Sequence, residues 1–203
     1  MSEPFRCGQY VVTRIRQLVG TDAATMSPNT RAVLAQLRQA LGKEAGTVPA
    51  VWPVTLEGVP EMRAQQQRHV EAALHLALTL FVLHQQAQPR CMHDPSRSFG
   101  SAIRRLADQT ASEEGPHTSP AYRRFTAACT TTDVRALETH LRGLVTQLRS
   151  ADIGFDYDGF ADDLYFFQVP GRAVTVQRRW GRQFHHLNST HATTPTALEG
   201  ASK

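Results

Sequence analysis

Nine histidines, three cysteines and a cluster of aspartates are the residues of this chain suited to metal ligation or proton transfer. A zinc site needs four ligands, usually as two spaced pairs. Cys91-Met92-His93 supplies one pair, and no second pair stands at the required spacing. Asp152, Asp156, Asp158, Asp162 and Asp163 invite a calcium reading, and Asp156-x-Asp158-Gly159 matches part of an EF-hand loop. The match then fails: the first ligand position falls on Gly154 and the closing glutamate position on Tyr165. The acids read instead as helix caps and first-turn residues that complement the helix dipole, or as ionic contacts for a basic partner. Cys7, Cys91 and Cys129 form no disulfide framework, which fits a reduced, cytoplasmic setting. The chain lacks a phosphate-cradling glycine loop, a Gly-x-Ser-x-Gly elbow and a His-Glu-x-x-His pair. No catalytic residue, metal or cofactor is therefore expected.

The arginines are better organised. Of the 22 basic residues only Lys43 and Lys203 are lysines. Arginine presents a planar fork of donors that matches phosphate. Base composition of the coding DNA also favours arginine, but it does not govern position. Arg135, Arg142 and Arg149 repeat every seven residues, so they line one edge of a helix. Arg31 and Arg38 repeat that spacing, with Lys43 just beyond. Doublets follow at Arg104-Arg105, Arg123-Arg124 and Arg178-Arg179, with Arg182 one turn on. Residues 31–43 and 172–182 carry basic residues and no acid, whereas the aspartates gather in 152–163. Segregation of this kind suits a track for a phosphodiester backbone. Trp180 and Phe184 share a face with apolar residues and are expected in the core. With no base-reading set, binding is expected to be sequence-independent and salt-dependent. The alternatives are a helical adaptor whose arginines meet acidic protein partners, and a helical enzyme built on histidine.

Helices must position these side chains. Val11, Val12, Ile15, Leu18 and Val19 fall at helical spacing. Ser27-Pro28 and Ser119-Pro120 each supply an N-cap followed by proline at the first helical position. The first of these opens a helix with Val33, Leu34, Leu37 and Leu41 on one face, stopping at Gly42. Residues 43–60 read as a long irregular connection ordered in part by Trp52. A long helix is predicted over 61–88, closed by Pro89, and a shorter one over 99–109. Its most apolar stretch, Leu74 to Leu83, is too short for a bilayer and reads as a buried helix. Asp133 caps the clearest helix, with a stripe of Val134, Leu137, Leu141, Leu144, Val145 and Leu148. Asp156 caps another through Phe160, Leu164 and Phe167, and a last one carries Val174, Val176, Trp180 and Phe184. No strand pattern and no secretory leader are evident. The expected fold is an all-α helical bundle of two packed lobes: 1–112, and 113–187 after a linker at 111–119. Residues 188–203 are expected as a disordered tail.

Five segments resemble one family. They are Arg31-Ala-Val-Leu-Ala-Gln-Leu-Arg38, Phe99-Gly-Ser-Ala-Ile-Arg-Arg-Leu106, Ser119-Pro-Ala-Tyr-Arg-Arg-Phe125, His140-Leu-Arg-Gly-Leu-Val-x-x-Leu-Arg149 and Arg178-Arg-Trp-Gly-Arg-x-Phe184. In order and spacing they are similar to the CasB family, the small subunit of the type I-E CRISPR Cascade complex. The resemblance spans roughly residues 10–186. It implies an all-helical, non-enzymatic, cytoplasmic component of antiviral defence that binds DNA and RNA without touching a membrane. It implies two copies packed head to tail against the backbone and large subunits, stabilising the R-loop. The basic face would contact single-stranded DNA, chiefly the displaced strand, beside the guide-RNA/DNA complex, while guide pairing chooses the sequence. The residues expected to hold nucleic acid are Arg31, Arg38, Lys43, Arg104, Arg105, Arg123, Arg124, Arg135, Arg142 and Arg149.

Overall fold

Polar caps open helices where the sequence places them. The computed structural model describes residues 5–20, 27–111, 113 and 115–186. Ser27 Oγ accepts the Thr30 N–H at 3.1 Å and starts α2 (Pro28–Ala40), which follows α1 (Cys7–Val19). Ser98 caps α5 (Phe99–Gln109) and Ser119 caps α6 (Pro120–Thr130). Asp133 Oδ1 accepts the Ala136 N–H at 2.7 Å to open α7 (Val134–Ser150). Asp156 accepts two N–H groups, from Asp158 and Gly159, to open α8 (Tyr157–Gln168). The last helix is α9 (Ala173–His185). Each cap satisfies a backbone donor that the first helical turn leaves orphaned.

Two segments are more ordered, or shorter, than their sequence suggests. The connection 43–60 contains a 3-10 turn (Pro49–Val51) and the short α3 (Trp52–Thr55). The Trp52 indole, itself 44% exposed, donates to the Gly46 carbonyl at 3.0 Å. The long helix α4 runs Ala64–Gln85 and ends before Pro89. Ala87 turns into the left-handed region at φ 60°, and Arg149 of α7 reaches the Leu83 carbonyl. A guanidinium thus satisfies a terminal carbonyl that no further helical turn covers.

The described residues hold no strand; an isolated parallel bridge joins His93 to Phe155. The fold is the expected all-α bundle, and no helix is long and apolar enough to cross a membrane. At its centre lies α4, buried continuously from Ala73 to Val82. It packs on α1, α2, α7 and α8, while α5 packs on α6, α7 and α9. Helices from both sides of residue 112 share one hydrophobic core. Phe99, Phe155, Phe160 and Trp180 make a chain of ring contacts through it, with centroids 4.9–5.3 Å apart along the path. Trp180 and Phe184 are fully buried, as their spacing suggests. The expected tail, 188–203, lies outside the described residues, as do Ser112 and Glu114 of the expected linker.

Histidines and cysteines serve this packing. His84 is fully buried; its Nε2 donates to the Ile153 carbonyl at 3.0 Å and its Nδ1 accepts the Tyr157 hydroxyl at 3.1 Å. Burial pushes its pKa down to about 3, so the ring stays neutral. His75 Nε2 donates to the Ala40 carbonyl at 3.1 Å, tying α4 to the end of α2. His93 Nδ1 accepts the Tyr157 N–H at 3.1 Å. Met92 between Cys91 and His93 is fully buried, which makes that motif part of the core edge. All three cysteines are free, and burial pushes the Cys7 and Cys129 thiols up to about 12. Among the described residues no group of three or more His, Cys, Asp or Glu is placed to hold a metal.

Candidate nucleic-acid interface

Three helices, α2, α6 and α7, carry most of the expected basic residues. No acid occurs in α2 or α6, and α7 holds only Glu138. Arg31 and Arg38 of α2 line a groove with Leu34, Val82 and the end of α4 at Gln85, Gln86 and Ala87. On the groove's other side Arg149 donates to Gln86 Oε1 at 2.8 Å. Arg31 and Arg38 of one heptad series and Arg149 of the other thus both meet the C-terminal end of α4.

A second convergence sits beside Lys43. Gly42 adopts φ 81°, and the Arg142 guanidinium lies 3.1 Å from where a β-carbon would stand. The Glu138 carboxylate is 3.8 Å from the same point, so the local field is mixed there. A third lies on Gly143, where the missing side chain leaves room for the Arg124 guanidinium to fold over α7. Arg31, Arg38, Lys43, Arg124, Arg135 and Arg142 are all exposed. Among the described residues none of them forms an ion pair within 4.0 Å.

The remaining expected residues divide. Arg105 and Arg123 are exposed and form no ion pair among the described residues. Arg104 is engaged: it pairs with Asp108 one turn on at 2.9 Å and lies over the Phe184 ring at 5.6 Å. Arg149 is half-buried and holds the end of α4. Both shape the face more than they present charge on it.

The aspartate cluster has internal partners that sequence reasoning missed. Asp158 and Asp162 both receive Arg6, at 2.9 and 2.7 Å. Asp152 receives Arg90 at 3.0 Å. Asp163, only 3% exposed, takes Arg179 on one oxygen and the Trp180 indole N–H on the other, the latter at 2.7 Å. Burial pushes its carboxyl up to about 6, while Arg179 and the indole pull it back down. A signal for Asp163 existed: it falls three residues after Phe160 and one before Leu164, at a core position of α8.

A family model for the CRISPR-associated protein Cse2 matches residues 33–185. Among curated proteins no relative in sequence is found. The fold is similar to the crystal structure of CasB from Thermobifida fusca, with 31% identity and a TM-score of 0.72, covering 89% of this chain and 98% of that one. A Cse2-family protein from Thermus thermophilus shares the fold at 23% identity and a TM-score of 0.66, over 89% of this chain and 98% of that one. One chain of a CRISPR RNA-guided surveillance complex shares it at 20% identity and a TM-score of 0.64, over 88% and 93%.

Proposed function

The chain belongs to the Cse2 family of CRISPR-associated proteins, and on that premise we propose that it is a non-catalytic small subunit of a type I-E RNA-guided surveillance complex. It works in the cytoplasm, beside other Cascade subunits and a second copy of itself. It holds nucleic-acid backbone, chiefly the displaced DNA strand, and so stabilises the R-loop. The observation that carries this reading is that Arg31, Arg38, Arg123, Arg124, Arg135 and Arg142 of α2, α6 and α7 stand exposed with no ion pair among the described residues. Unpaired guanidinium groups on a surface bind phosphate at little desolvation cost, and they read no sequence. The folded shape shared with a chain of a surveillance complex supports the assembly. Arg31, Arg38, Lys43, Arg105, Arg123, Arg124, Arg135 and Arg142 are assigned the backbone contacts, with Arg104 and Arg149 setting the surface beneath them.

Salt titration of single-stranded DNA binding by the full chain tests the backbone role. Affinity is expected to fall linearly on a log–log plot, with a slope near −0.7 per phosphate neutralised. Binding that is absent or indifferent to salt overturns it and favours an adaptor for acidic proteins. Co-purification with guide RNA and the other subunits tests the assembly.

A further inference from the structure

At the far edge of α6, two imidazole rings stand outside the core. His117, in the 3-10 turn Pro116–Thr118, and His185, at the end of α9, are both exposed. Their rings stack at a centroid distance of 5.5 Å and an interplanar angle of 19°. Neither forms a hydrogen bond among the described residues. The rings are held from behind: Tyr122 meets His117 edge-on at 4.9 Å, and buried Phe184 lies 5.1 Å from both Tyr122 and His185. A ring placed to complete the core would be covered. These two are braced by the core and remain exposed.

Their position relative to the arginines gives the stack a use. Successive residues on a helix turn by about 100°. Tyr122 faces His117 and Phe184, and Arg124 folds over Gly143 of α7. Arg123 therefore projects between them, and it is exposed. A strand held by Arg124 over α7 and by Arg123 would pass along α6 toward the end that carries the histidine stack.

We infer that the His117–His185 pair is a stacking platform for a nucleobase of a single-stranded nucleic acid, at the end of the arginine track. This rests on the backbone-binding reading above and adds to it a contact with a base. Bases of any identity stack on aromatic rings, so the platform favours unpaired strand over duplex without reading sequence.

The full chain is tested against a labelled single-stranded oligonucleotide and its abasic counterpart of equal length and charge. The abasic strand is expected to bind about fivefold or more weakly. The double variant His117→Ala/His185→Ala is expected to erase that difference while keeping the salt slope. His117→Phe, which preserves a stacking ring, is expected to retain it. Equal binding of the two strands by the natural chain overturns the platform, and that comparison needs no variant to fold. A difference that survives the double variant also overturns it. Salt-dependent binding with either of those results leaves the backbone reading standing; no salt-dependent binding to either strand removes both.

Discussion

Arginines near α8 and arginines on α2, α6 and α7 carry the same guanidinium to opposite ends. Around α8, Arg6, Arg90, Arg97 and Arg179 each meet an aspartate, and Asp163 is buried to do so. Across the molecule Arg31, Arg38, Arg124, Arg135 and Arg142 are exposed and form no ion pair among the described residues. The first group closes the fold on itself: Arg6 joins the start of α1 to α8, and Arg179 joins α9 to α8. The second leaves its charge available. Arginine excess alone is therefore uninformative; the supply of acids within reach decides which guanidinium groups remain for a partner.

The comparison is sharpest within α7, where adjacent residues fall on opposite sides. Leu141 is fully buried and Arg142 is exposed. Leu141→Ala is expected to cost about 2–5 kcal/mol in chemical denaturation, from lost burial and the cavity left behind. DNA affinity of the fraction that stays folded should be unchanged. A cost under about 1 kcal/mol would show that the α7 stripe is not packed as described.

Next in size is Asp163, the buried end of the paired group. Asp163→Ala leaves the Trp180 indole N–H without its acceptor and is expected to cost about 1–3 kcal/mol. Asp163→Asn keeps an acceptor and costs less. The natural carboxyl is distinguished from the amide by pH. The folded carboxyl titrates at about 6, above its ordinary 3.8. Between those values the folded chain holds a proton that the unfolded chain has released. This group's contribution to stability is thus greatest below about pH 4, declines as pH rises to about 6, and is flat above. His84 works the other way: its folded pKa of about 3 lies below the ordinary 6.5, so its contribution is present above 6.5 and lost as pH falls toward 3. Subtracting the Asp163→Asn profile from that of the natural chain isolates the carboxyl, because His84 is common to both. Parallel profiles between pH 4 and 6 would mean that Asp163 titrates as an exposed acid.

On the open face the effects are smaller and appear in binding. Arg38→Glu or Arg142→Glu should weaken single-stranded DNA binding by about 1 kcal/mol each and reduce the magnitude of the salt slope by about one, with helicity unchanged. Arg104→Glu should instead perturb folding, since Arg104 is committed to Asp108 and Phe184. If Arg104→Glu weakens DNA binding without touching stability, the division between committed and available arginines is drawn in the wrong place.

That division was only partly legible in the sequence. The helices were readable because Ser27, Ser119, Asp133 and Asp156 are local signals and the α7 stripe repeats over its whole length. The Arg104–Asp108 pair was also local, four residues apart on one helix face. Arg6 and Asp162 are 156 residues apart, and nothing in either neighbourhood names the other. Arg149 illustrates the same limit from the open face. Its heptad spacing assigns it to the edge of Arg135 and Arg142, but the end of α4 arrives there through tertiary packing and takes the side chain for itself.

The smallest expected effect is also the most local test of the open face. Gly143 is the one interior residue of α7 without a side chain, and Arg124 fills the space. Glycine inside a helix costs roughly 0.5–1 kcal/mol relative to alanine, so Gly143→Ala should stabilise the fold by up to that amount. The new methyl group meets the guanidinium, the far end of a flexible chain, which swings away at little cost. If Arg124 contacts backbone phosphate from its seat over α7, binding weakens while stability rises, a combination that no packing defect produces. If stability rises and binding holds, Arg124 reaches the strand from elsewhere on α6. In that case Arg123 and Arg124 act as a mobile pair rather than as a fixed step between the α7 arginines and the histidine stack.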